Sequence, residues 1–178
     1  SDERLIERLV AGEESVLDLL MTRYQQSLNH FALRYTRNEQ QALDIVQETF
    51  FRVYRRSESF NPKYSFKSWL YQIALNLCRD QARRAAVLRF VPFIDSREPS
   101  SNSSYSIVEE KSESEEEIAM LHRNIAELPH KLKSALILFA LEEKSQIEAA
   151  EILGISQKSV ETRVYRAKKM LRKKMKGS

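Results

Sequence analysis

Residues 145–176, SQIEAAEILGISQKSVETRVYRAKKMLRKKMK, predict two helices joined by a tight turn. Ser145 and Glu148 have the S-x-x-E spacing of a capping box, which predicts that the first helix begins there. Gly154 follows this helix, and glycine accepts the left-handed backbone conformation that ends a helix in a tight turn. Ser156 is then suitably placed to be the N-cap of the second helix. The segment therefore has the order of elements found in a helix-turn-helix.

Each of the two predicted helices has an apolar side. Those sides comprise Ile147, Ala150, Ile152 and Leu153 in the first helix, and Val160, Val164, Ala167 and Leu171 in the second. The opposite face of the second helix carries Lys158, Glu161, Thr162, Tyr165, Arg166 and Lys169. Long polar side chains of this kind reach base edges and phosphates when a helix lies in a major groove. A helical hairpin with a solvated charged face is the alternative interpretation.

The distribution of charge favours DNA binding by this segment. Residues 128–178 contain 12 Lys and Arg against 5 Asp and Glu, a net charge of +7, whereas the whole chain carries only +4. Clustered cations displace counterions from phosphates, which is the main source of sequence-independent affinity for DNA.

Composition predicts an all-α protein that is not an enzyme. The 178 residues include only 3 Gly and 4 Pro, and 3.6-residue apolar repeats dominate the pattern. Three scattered histidines and a single cysteine, Cys78, form no motif for catalysis or for a metal, so no metal and no cofactor are expected. No apolar run is long enough to span a membrane and no signal peptide is visible, which predicts a cytoplasmic protein.

The chain divides into two small helical domains on either side of an acidic segment. Residues 96–117 hold eight serines and seven glutamates against two basic residues. A segment with so few apolar side chains cannot bury enough surface to order itself. We therefore predict one domain at 1–94, a flexible acidic linker at 95–117 and a second domain at 118–178.

The helix that begins after Asn38 and continues through Arg56 has two contrasting faces. Its predicted buried stripe comprises Leu43, Val46, Phe50 and Val53, and its opposite face carries Asp44, Glu48, Phe51 and Arg55. An aromatic ring within an acidic face is a candidate surface for docking a protein. A solvated face with one exposed phenylalanine is the alternative, because isolated exposed apolar residues are common.

A loop at 57–65 and a helix from Phe66 to about Ala86 follow. Ser65 can cap this helix, and its buried side comprises Phe66, Leu70, Ile73 and Leu77. Its other side aligns Gln72, Asn76, Arg79 and Arg83, and the aromatic residues Phe60, Tyr64, Trp69 and Tyr71 lie near its start. Aromatic rings beside a cationic stripe suit single-stranded nucleic acid, whose unstacked bases lie against rings. We assign Phe66 to the core and Phe60 and Tyr64 to the loop, and leave Trp69 open.

These segments, in this order, resemble the extracytoplasmic-function group of the sigma-70 family, the promoter-recognition subunits of bacterial RNA polymerase. ALDIVQETFFRVYRR (42–56) is similar to family region 2.2, and FKSWLYQIALNLCRDQARR (66–84) is similar to regions 2.3 and 2.4. LPHKLKSALILFALEEKSQIEAAEILGISQKSVETRVYRAKKMLRKKM (128–175) is similar to regions 4.1 and 4.2. The acidic linker lies where the group has one.

The resemblance implies a role for each face. Docking on the β′ coiled coil of core polymerase would involve Asp44, Gln47, Glu48 and Phe51. Capture of the −10 element, including a flipped base, would involve Phe60, Asn61, Lys63, Tyr64, Trp69, Asn76, Arg79 and Arg83. Recognition of the −35 element would involve Lys158, Ser159, Glu161, Thr162, Arg163, Tyr165 and Arg166. The linker would thread near the polymerase active site and the RNA exit channel.

The resemblance also implies partners and a function. The partners are core polymerase through its β′ and β subunits, double- and single-stranded promoter DNA, and an anti-sigma factor, including one that holds the chain at the inner membrane. The chain itself would not insert into a membrane. Glu161 stands where the family usually has a basic residue, so the −35 sequence stays open. The alternative function is a helix-turn-helix transcription regulator that acts independently of polymerase.

Overall fold

The computed structural model describes residues 1–90 and 113–176, which form eight α-helices and no strand. These are α1 (Asp2–Val10), α2 (Val16–Thr36), α3 (Glu39–Arg56), α4 (Phe66–Phe90), α5 (Glu113–Ala126), α6 (His130–Leu136), α7 (Gln146–Leu153) and α8 (Gln157–Lys176). A short 3₁₀ turn at Ser57–Ser59 follows α3, and a π-helical segment, Ile137–Leu141, continues α6. The prediction of an all-α fold is confirmed.

Helices α1 to α4 form an N-terminal unit in which α2, α3 and α4 pack against one another. Leu20, Phe31 and Leu70 are fully buried, and Phe50 is almost so. The Phe31 and Tyr71 rings meet edge to face with their centroids 5.4 Å apart. Phe66 is fully buried, as the sequence predicted. This core fixes the rotation of α4 and so determines which of its residues face outward.

Helices α5 to α8 form a C-terminal unit built around α8, which packs against α5, α6 and α7. The predicted stripe of α8 is buried as a whole, namely Val160, Val164, Ala167 and Leu171. The helices α7 and α8, with the turn between them, have the arrangement of a helix-turn-helix, as the sequence predicted.

The helix caps follow the local sequence signals. Asn38 accepts a hydrogen bond from the Gln41 amide at 2.9 Å at the start of α3. At the start of α7 the Ser145 hydroxyl accepts from the Glu148 amide at 3.1 Å, and the Glu148 carboxylate accepts from the Ser145 amide at 3.0 Å. These reciprocal bonds satisfy two amides that a helix leaves unpaired, and they confirm the predicted capping box. Gly154 ends α7 with a φ of 63°, in the left-handed region.

Two predicted buried residues are exposed. Ile147 is 64% exposed and Leu43 is 48% exposed. Each lies ~200° around its helix axis from a residue that is buried, Ala149 in α7 and Ile45 in α3. The arc that the neighbouring helices cover is therefore displaced from the one that the sequence pattern suggested.

Two predicted boundaries also differ. Helix α4 continues to Phe90 rather than ending near Ala86. Helix α5 begins at Glu113, so residues 113–117, which we predicted to belong to the flexible linker, form its first turn. Glutamates are favourable in the first turn of a helix because they complement its dipole. The remainder of the predicted linker, and the end of the first predicted domain, lie within residues 91–112, outside the described residues.

The turn at Gly154 gives a first testable prediction. Apart from Gly154 itself and its two chain neighbours, no residue has a heavy atom within 4 Å of the position that a Cβ would occupy, so a substitution there meets only the cost of the left-handed conformation. Gly154→Ala should lower the free energy of unfolding by ~1 kcal/mol, measured by urea denaturation. Gly154→Asn should lower it less, because asparagine tolerates this conformation better. Equal losses for the two variants would contradict a purely conformational cost.

Candidate protein and nucleic-acid interfaces

The outer face of α3 presents an exposed aromatic ring. Phe51 is 52% exposed, and the Arg55 guanidinium carbon lies 5.6 Å from its ring centroid. A shallow groove of ≈ 490 Å³ runs from Phe51 and Tyr54 to the start of α2, where Leu17 and Asp18 line it. The outward position of Phe51 matches the sequence prediction. A side chain of a partner protein has room to enter this groove.

The charged residues around Phe51 are held by short-range contacts within α3. Asp44 accepts a hydrogen bond from the side-chain amide of Gln40 at 3.0 Å, and Glu48 forms an ion pair with Arg52 at 2.8 Å. Gln47 is exposed. These contacts are between neighbours on one helix surface, so each contributes only a few tenths of a kcal/mol. They orient the side chains without removing them from solvent.

Aromatic residues form a pocket where the 57–65 loop meets the start of α4. The Phe60 and Trp69 ring centroids lie 5.3 Å apart, and both rings pack on the buried Phe66. Tyr64 is 57% exposed at the rim. The Asn61 side-chain oxygen accepts a hydrogen bond from the Lys63 backbone amide, which holds the loop. The pocket has a volume of ≈ 360 Å³, and Glu151 and Gly154 of the C-terminal unit form part of its wall. Phe60 and Trp69, both half-buried, present ring surface to the pocket as well as to the core.

The predicted polar stripe continues from this pocket along α4. Gln72, Asn76 and Arg83 are exposed, whereas Arg79 is half-buried. Asn76 and Arg79 line a second cavity of ≈ 190 Å³, whose opposite wall includes residues of the C-terminal unit. The stripe is therefore continuous, but the C-terminal unit partly covers it.

The exposed face of α8 contains most of the residues predicted to read duplex DNA. Lys158, Glu161, Tyr165 and Arg166 are exposed, and Thr162 is half-buried with its hydroxyl donating to the Lys158 carbonyl at 2.9 Å. The Lys158 ammonium pairs with the Glu161 carboxylate at 3.1 Å. Both members of this pair are largely exposed, so the pair contributes little to stability and is free to rearrange.

Two further residues predicted for this face are placed differently. The Ser156 hydroxyl accepts a hydrogen bond from the Ser159 amide at 3.2 Å and lies 2.9 Å from the Ser159 hydroxyl. Ser159 therefore takes part in the N-terminal capping of α8 by Ser156. Arg163 is half-buried and lines the cavity beside Asn76 and Arg79. Arg163 therefore faces the N-terminal unit rather than solvent.

Charged and polar residues of the two units make contacts that the sequence analysis did not predict. Lys67 on α4 pairs with Glu148 on α7 at 2.9 Å. Glu151, one turn further along α7, accepts from the Ser65 amide and from the Ser68 hydroxyl, both at 2.9 Å. The partners are separated by more than 80 residues, so no local pattern indicated them. The i, i+3 spacing of the two glutamates on α7 was the only available signal.

The charge partners of Glu148 favour its ionised form. The hydrogen bond from Lys67 lowers the pKa of the Glu148 carboxyl to about 2, helped by the bonds from Ser145 and opposed by burial. The contact is consequently charged throughout the physiological pH range.

A second polar contact between the units joins Tyr35 on α2 to His130 on α6. The Tyr35 hydroxyl bonds to the His130 Nδ1. Burial lowers the pKa of His130, and Arg79, Lys133 and Arg83 lower it further because they disfavour a second cation. Burial raises the pKa of Tyr35 to about 12. At neutral pH the contact therefore joins an un-ionised phenol to a neutral imidazole.

No cluster of three or more potential metal ligands occurs among residues 1–90 and 113–176. None of the helices in the same ranges combines the length and the apolar character that crossing a membrane requires.

Two family models match the chain, one on each unit. Sigma-70 region 2 matches residues 20–87, and Sigma-70, region 4 matches residues 114–171. The two matches together cover more than half of the 178 residues. The chain belongs to the sigma-70 family. It is a sigma factor, the component that gives RNA polymerase its promoter specificity, and the resemblance inferred from the sequence is confirmed. The N-terminal unit is region 2 and the C-terminal unit is region 4.

Curated relatives place the chain in the extracytoplasmic-function group. The ECF RNA polymerase sigma-E factor of Haemophilus influenzae is 31% identical over 98% of this chain and 95% of its own length. The RNA polymerase sigma-H factor of Pseudomonas aeruginosa is 30% identical over 97% of this chain and 92% of its own. Sigma-70 is not a family of enzymes.

Solved structures have the same fold. CnrH in complex with the cytosolic domain of CnrY is similar with a TM-score of 0.70 and 27% identity, over 99% of this chain and 98% of that chain. The sigma factor RpoE of Bartonella quintana, in complex with the anti-sigma factor NepR, gives a TM-score of 0.62 at 23% identity, over 89% of this chain and 96% of that chain. The second likeness concerns the fold alone.

The Tyr35–His130 contact gives a prediction about pH. The folded pKa of His130 lies below its ordinary value of 6.5, so the unfolded chain binds a proton first as pH falls. The free energy of unfolding should therefore decrease as pH falls from 6.5 towards the folded pKa, by at most ~1.4 kcal/mol per pH unit for one proton. The charged groups around His130 (Arg79 and Arg83 from α4, Lys133 from α6) all act in this direction.

The control for this prediction is His130→Gln, which keeps a polar side chain but cannot titrate. The difference in unfolding free energy between the wild type and this variant should change with pH between 8 and 5, as measured by urea denaturation. A difference that is constant over this range would contradict the depressed pKa of His130.

Proposed function

We propose that this sigma factor uses three separate faces, one for core polymerase, one for the −10 element and one for the −35 element. The observation that supports the proposal is that one chain carries two different surfaces, an aromatic pocket beside a polar stripe on α4 and an exposed polar face on α8. An aromatic pocket beside a cationic stripe suits unpaired bases, whereas the outward face of α8 suits a duplex. A regulator that only binds duplex DNA needs the second surface alone. The chain would act in initiation, and its resemblance to the extracytoplasmic-function group implies stress-responsive genes as its targets.

The outer face of α3 is the proposed docking site for core polymerase. Phe51 offers an exposed ring beside a groove, and Asp44, Gln47 and Glu48 surround it with polar groups. Interfaces depend on a few aromatic anchors within a polar rim, and this face has that composition. We propose the coiled coil of the β′ subunit as its partner, with the β subunit contacted elsewhere.

The pocket at the start of α4 is the proposed site for a flipped base of the −10 element. Phe60, Trp69 and Tyr64 offer ring surface for stacking. The volume of ≈ 360 Å³ is enough for a nucleobase, with Glu151 and Gly154 of region 4 forming part of the wall. Asn61 and the neighbouring Lys63 lie on the exposed loop beside it. Asn76, Arg79 and Arg83 then continue the path for the strand backbone. Unstacking a base costs a few kcal/mol, which contacts in the pocket would offset during melting.

The exposed face of α8 is the proposed reader of the −35 element. Glu161, Thr162 and Arg166 are the proposed base readers, with Lys158 and Tyr165 beside them. A carboxylate accepts from the amino group of cytosine, and an arginine donates to guanine. Ser159 and Arg163, predicted for the same surface, would contribute through the N-cap and through the contact with region 2.

The proposed partners follow from these faces and from the solved relatives. Two similar structures are complexes, one with the cytosolic domain of CnrY and one with the anti-sigma factor NepR. We propose that an anti-sigma factor likewise sequesters this chain, including at the inner membrane if that factor is membrane-bound. The proposed location of the chain is the cytoplasm, and no catalytic step is assigned to it.

The decisive experiment for the function is transcription with purified components. Core polymerase and this chain should give run-off transcripts from fragmented cognate genomic DNA, and mapping their 5′ ends should reveal shared −35 and −10 sequences. Retention of core polymerase on the immobilised chain separates a sigma factor from an independent regulator. Binding to DNA without binding to core polymerase would overturn the proposal.

Truncation of the proposed anchor on α3 should weaken polymerase binding. Phe51→Ala should reduce the affinity for core polymerase by ~1–4 kcal/mol, because a central aromatic anchor is lost. Asp44→Ala should have a smaller effect in the same direction. Fluorescence titration of labelled chain with core polymerase measures both changes.

The matched control for Phe51 is Leu19→Ala on α2. Leu19 is 49% exposed, close to the 52% of Phe51, but does not line the groove. Its loss should leave the affinity unchanged. Equal effects of the two truncations, or none from Phe51→Ala, would exclude this face as the docking site.

Reversal of charge at Glu161 should change which promoter is preferred. Glu161→Arg should select a different base in a randomised −35 library, since an arginine prefers guanine where a carboxylate accepts from cytosine. Each base contact contributes ~1–3 kcal/mol of discrimination. If both proteins recover the same −35 sequence from the library, Glu161 does not contact a base and α8 lies in the groove in another rotation.

Lys169 offers a contrasting variant on the same helix. It is exposed and lies beyond the proposed readers. Lys169→Ala should weaken binding to all sequences alike. The slope of the logarithm of the DNA-binding constant against the logarithm of the salt concentration should fall in magnitude by about one, as expected for the loss of one phosphate contact.

A further inference from the structure

A small polar cavity of ≈ 190 Å³ gathers positive charge from both regions. Three cationic side chains line it, namely Arg79 from α4 of region 2, Lys131 from α6 and Arg163 from α8 of region 4. The rest of its lining is uncharged apart from the imidazole of His130, and none of the described lining residues carries a carboxylate. The chain therefore places three cations around one space without a negative group among them.

The three cations are not neutralised elsewhere. Among residues 1–90 and 113–176, the ion pairs involve other side chains, and none includes Arg79, Lys131 or Arg163. The ion pair that joins the two regions, between Lys67 and Glu148, does not line the cavity. Like charges that are held close together repel one another unless a counter-charge lies between them.

The imidazole of His130 responds to this charge. Burial lowers the pKa of His130, and the positive charges of Arg79, Lys133 and Arg83 lower it further. The charged groups with the largest effects on this pKa are thus all cations. The potential in the cavity is positive, and a positive potential in a cleft raises the local concentration of anions.

The size and the lining of the cavity select a small anion. The cavity holds several water molecules, but it is smaller than the ~300–1,000 Å³ typical of pockets for drug-sized ligands. Arginine donates two parallel N–H groups to phosphate oxygens, and lysine adds a point charge. The side-chain amides of Gln72 and Asn76 also line the cavity and offer further N–H donors.

We propose that this cavity is a binding site for a small phosphate anion, inorganic phosphate or pyrophosphate, held between Arg79 of region 2 and Lys131 and Arg163 of region 4. The anion supplies the counter-charge that the described side chains do not provide. Its donors come from both regions, which distinguishes the site from the −10 and −35 surfaces. Binding of the anion does not depend on the functions proposed for those two surfaces.

The first test measures binding directly. Equilibrium dialysis of the full chain against radiolabelled phosphate, at constant ionic strength, should show one saturable site per chain. Pyrophosphate should displace the label more effectively than phosphate does, because it brings more negative charge to the same donors. If neither anion binds in a saturable way, the cavity is not a phosphate site.

ATP distinguishes a free anion from the phosphates of a nucleotide. Its nucleoside is too large for the cavity, so ATP should displace the label less effectively than pyrophosphate does. Displacement by ATP that equals that by pyrophosphate would identify a nucleotide as the ligand and overturn the assignment to a free anion.

Matched variants locate the site. Arg163→Gln and Lys131→Gln each remove one cation from the cavity and should weaken phosphate binding about tenfold, the ratio typical for the loss of one charge-assisted hydrogen bond. Arg172→Gln removes the same charge from an exposed position on α8 that does not line the cavity, and should leave the affinity unchanged. Equal losses in all three variants would indicate general attraction between charges and overturn the site. Lys131 is exposed, so its replacement does not disturb packing.

The ring of His130 provides a spectroscopic readout inside the cavity. Bound phosphate should raise the pKa of His130, because a nearby anion favours the protonated imidazole. The titratable and charged groups around this ring are Tyr35 of α2, Arg79 and Arg83 of α4, Lys131 and Lys133 of α6, and Arg163 of α8. At about pH 6, within the titration range of histidine, phosphate should therefore move the ring proton resonances of His130 towards their protonated positions.

His30 serves as the reference for this measurement, because it does not line the cavity. The shift at His130 should saturate with phosphate in the wild type and in Arg172→Gln, and should be much smaller in Arg163→Gln at the same concentration. Equal shifts at His130 and His30 would indicate an effect of the medium, and would contradict a bound anion.

An anion with donors in both regions should also stabilise the folded chain. A ligand that binds only the folded form stabilises it by mass action, whereas phosphate also stabilises proteins in general through its exclusion from their surfaces. The midpoint of urea denaturation should therefore rise more with phosphate in the wild type and Arg172→Gln than in Arg163→Gln. Equal gains in the three proteins would leave only the general effect and overturn the proposed site.

Discussion

The packing of one side of α4 against α2 and α3 is the interaction on which every candidate surface of region 2 depends. Phe66 and Leu70 are fully buried, and burial of a side chain of this size contributes ~1.5–3 kcal/mol. Because this burial fixes the rotation of α4, Asn76 and Arg79 must lie on its other side. The same burial holds Trp69 at the edge of the core, where its ring forms part of a pocket. A change in the core would therefore alter the surface geometry as well as stability.

Local signals in the sequence were sufficient for the elements and for much of their orientation. The caps at Asn38 and Ser145 and the left-handed turn at Gly154 each involve residues within one helical turn, so the sequence alone specifies them. The stripe of α8 was also correct, because a long helix with a regular pattern has one clear apolar side. Ile147 and Leu43 were assigned wrongly because the covered arc depends on the neighbouring helices, which periodicity does not describe.

The relation between the two regions could not be predicted from the sequence. Lys67 and Glu148 are 81 residues apart, and neither belongs to a motif that indicates a contact. The net charge of region 4 favoured DNA binding but gave no indication that Glu148 and Glu151 on α7 contact region 2. Arg34 reaches the Leu141 carbonyl in a π-helical segment that no propensity rule predicts. The sequence thus predicted each face separately, but it did not predict how region 4 packs against region 2.

The environment of Cys78 has a consequence for oxidative chemistry. A thiol that senses peroxide is exposed and has a low pKa, because the thiolate is the form that reacts. Cys78 has the opposite properties: it is buried, and burial raises its pKa to about 12. It is the only cysteine in the sequence, so no disulfide can form within one chain. Cys78 is therefore poorly suited to react with thiol oxidants, and we expect an oxidative signal that uses thiol chemistry to be received by another protein.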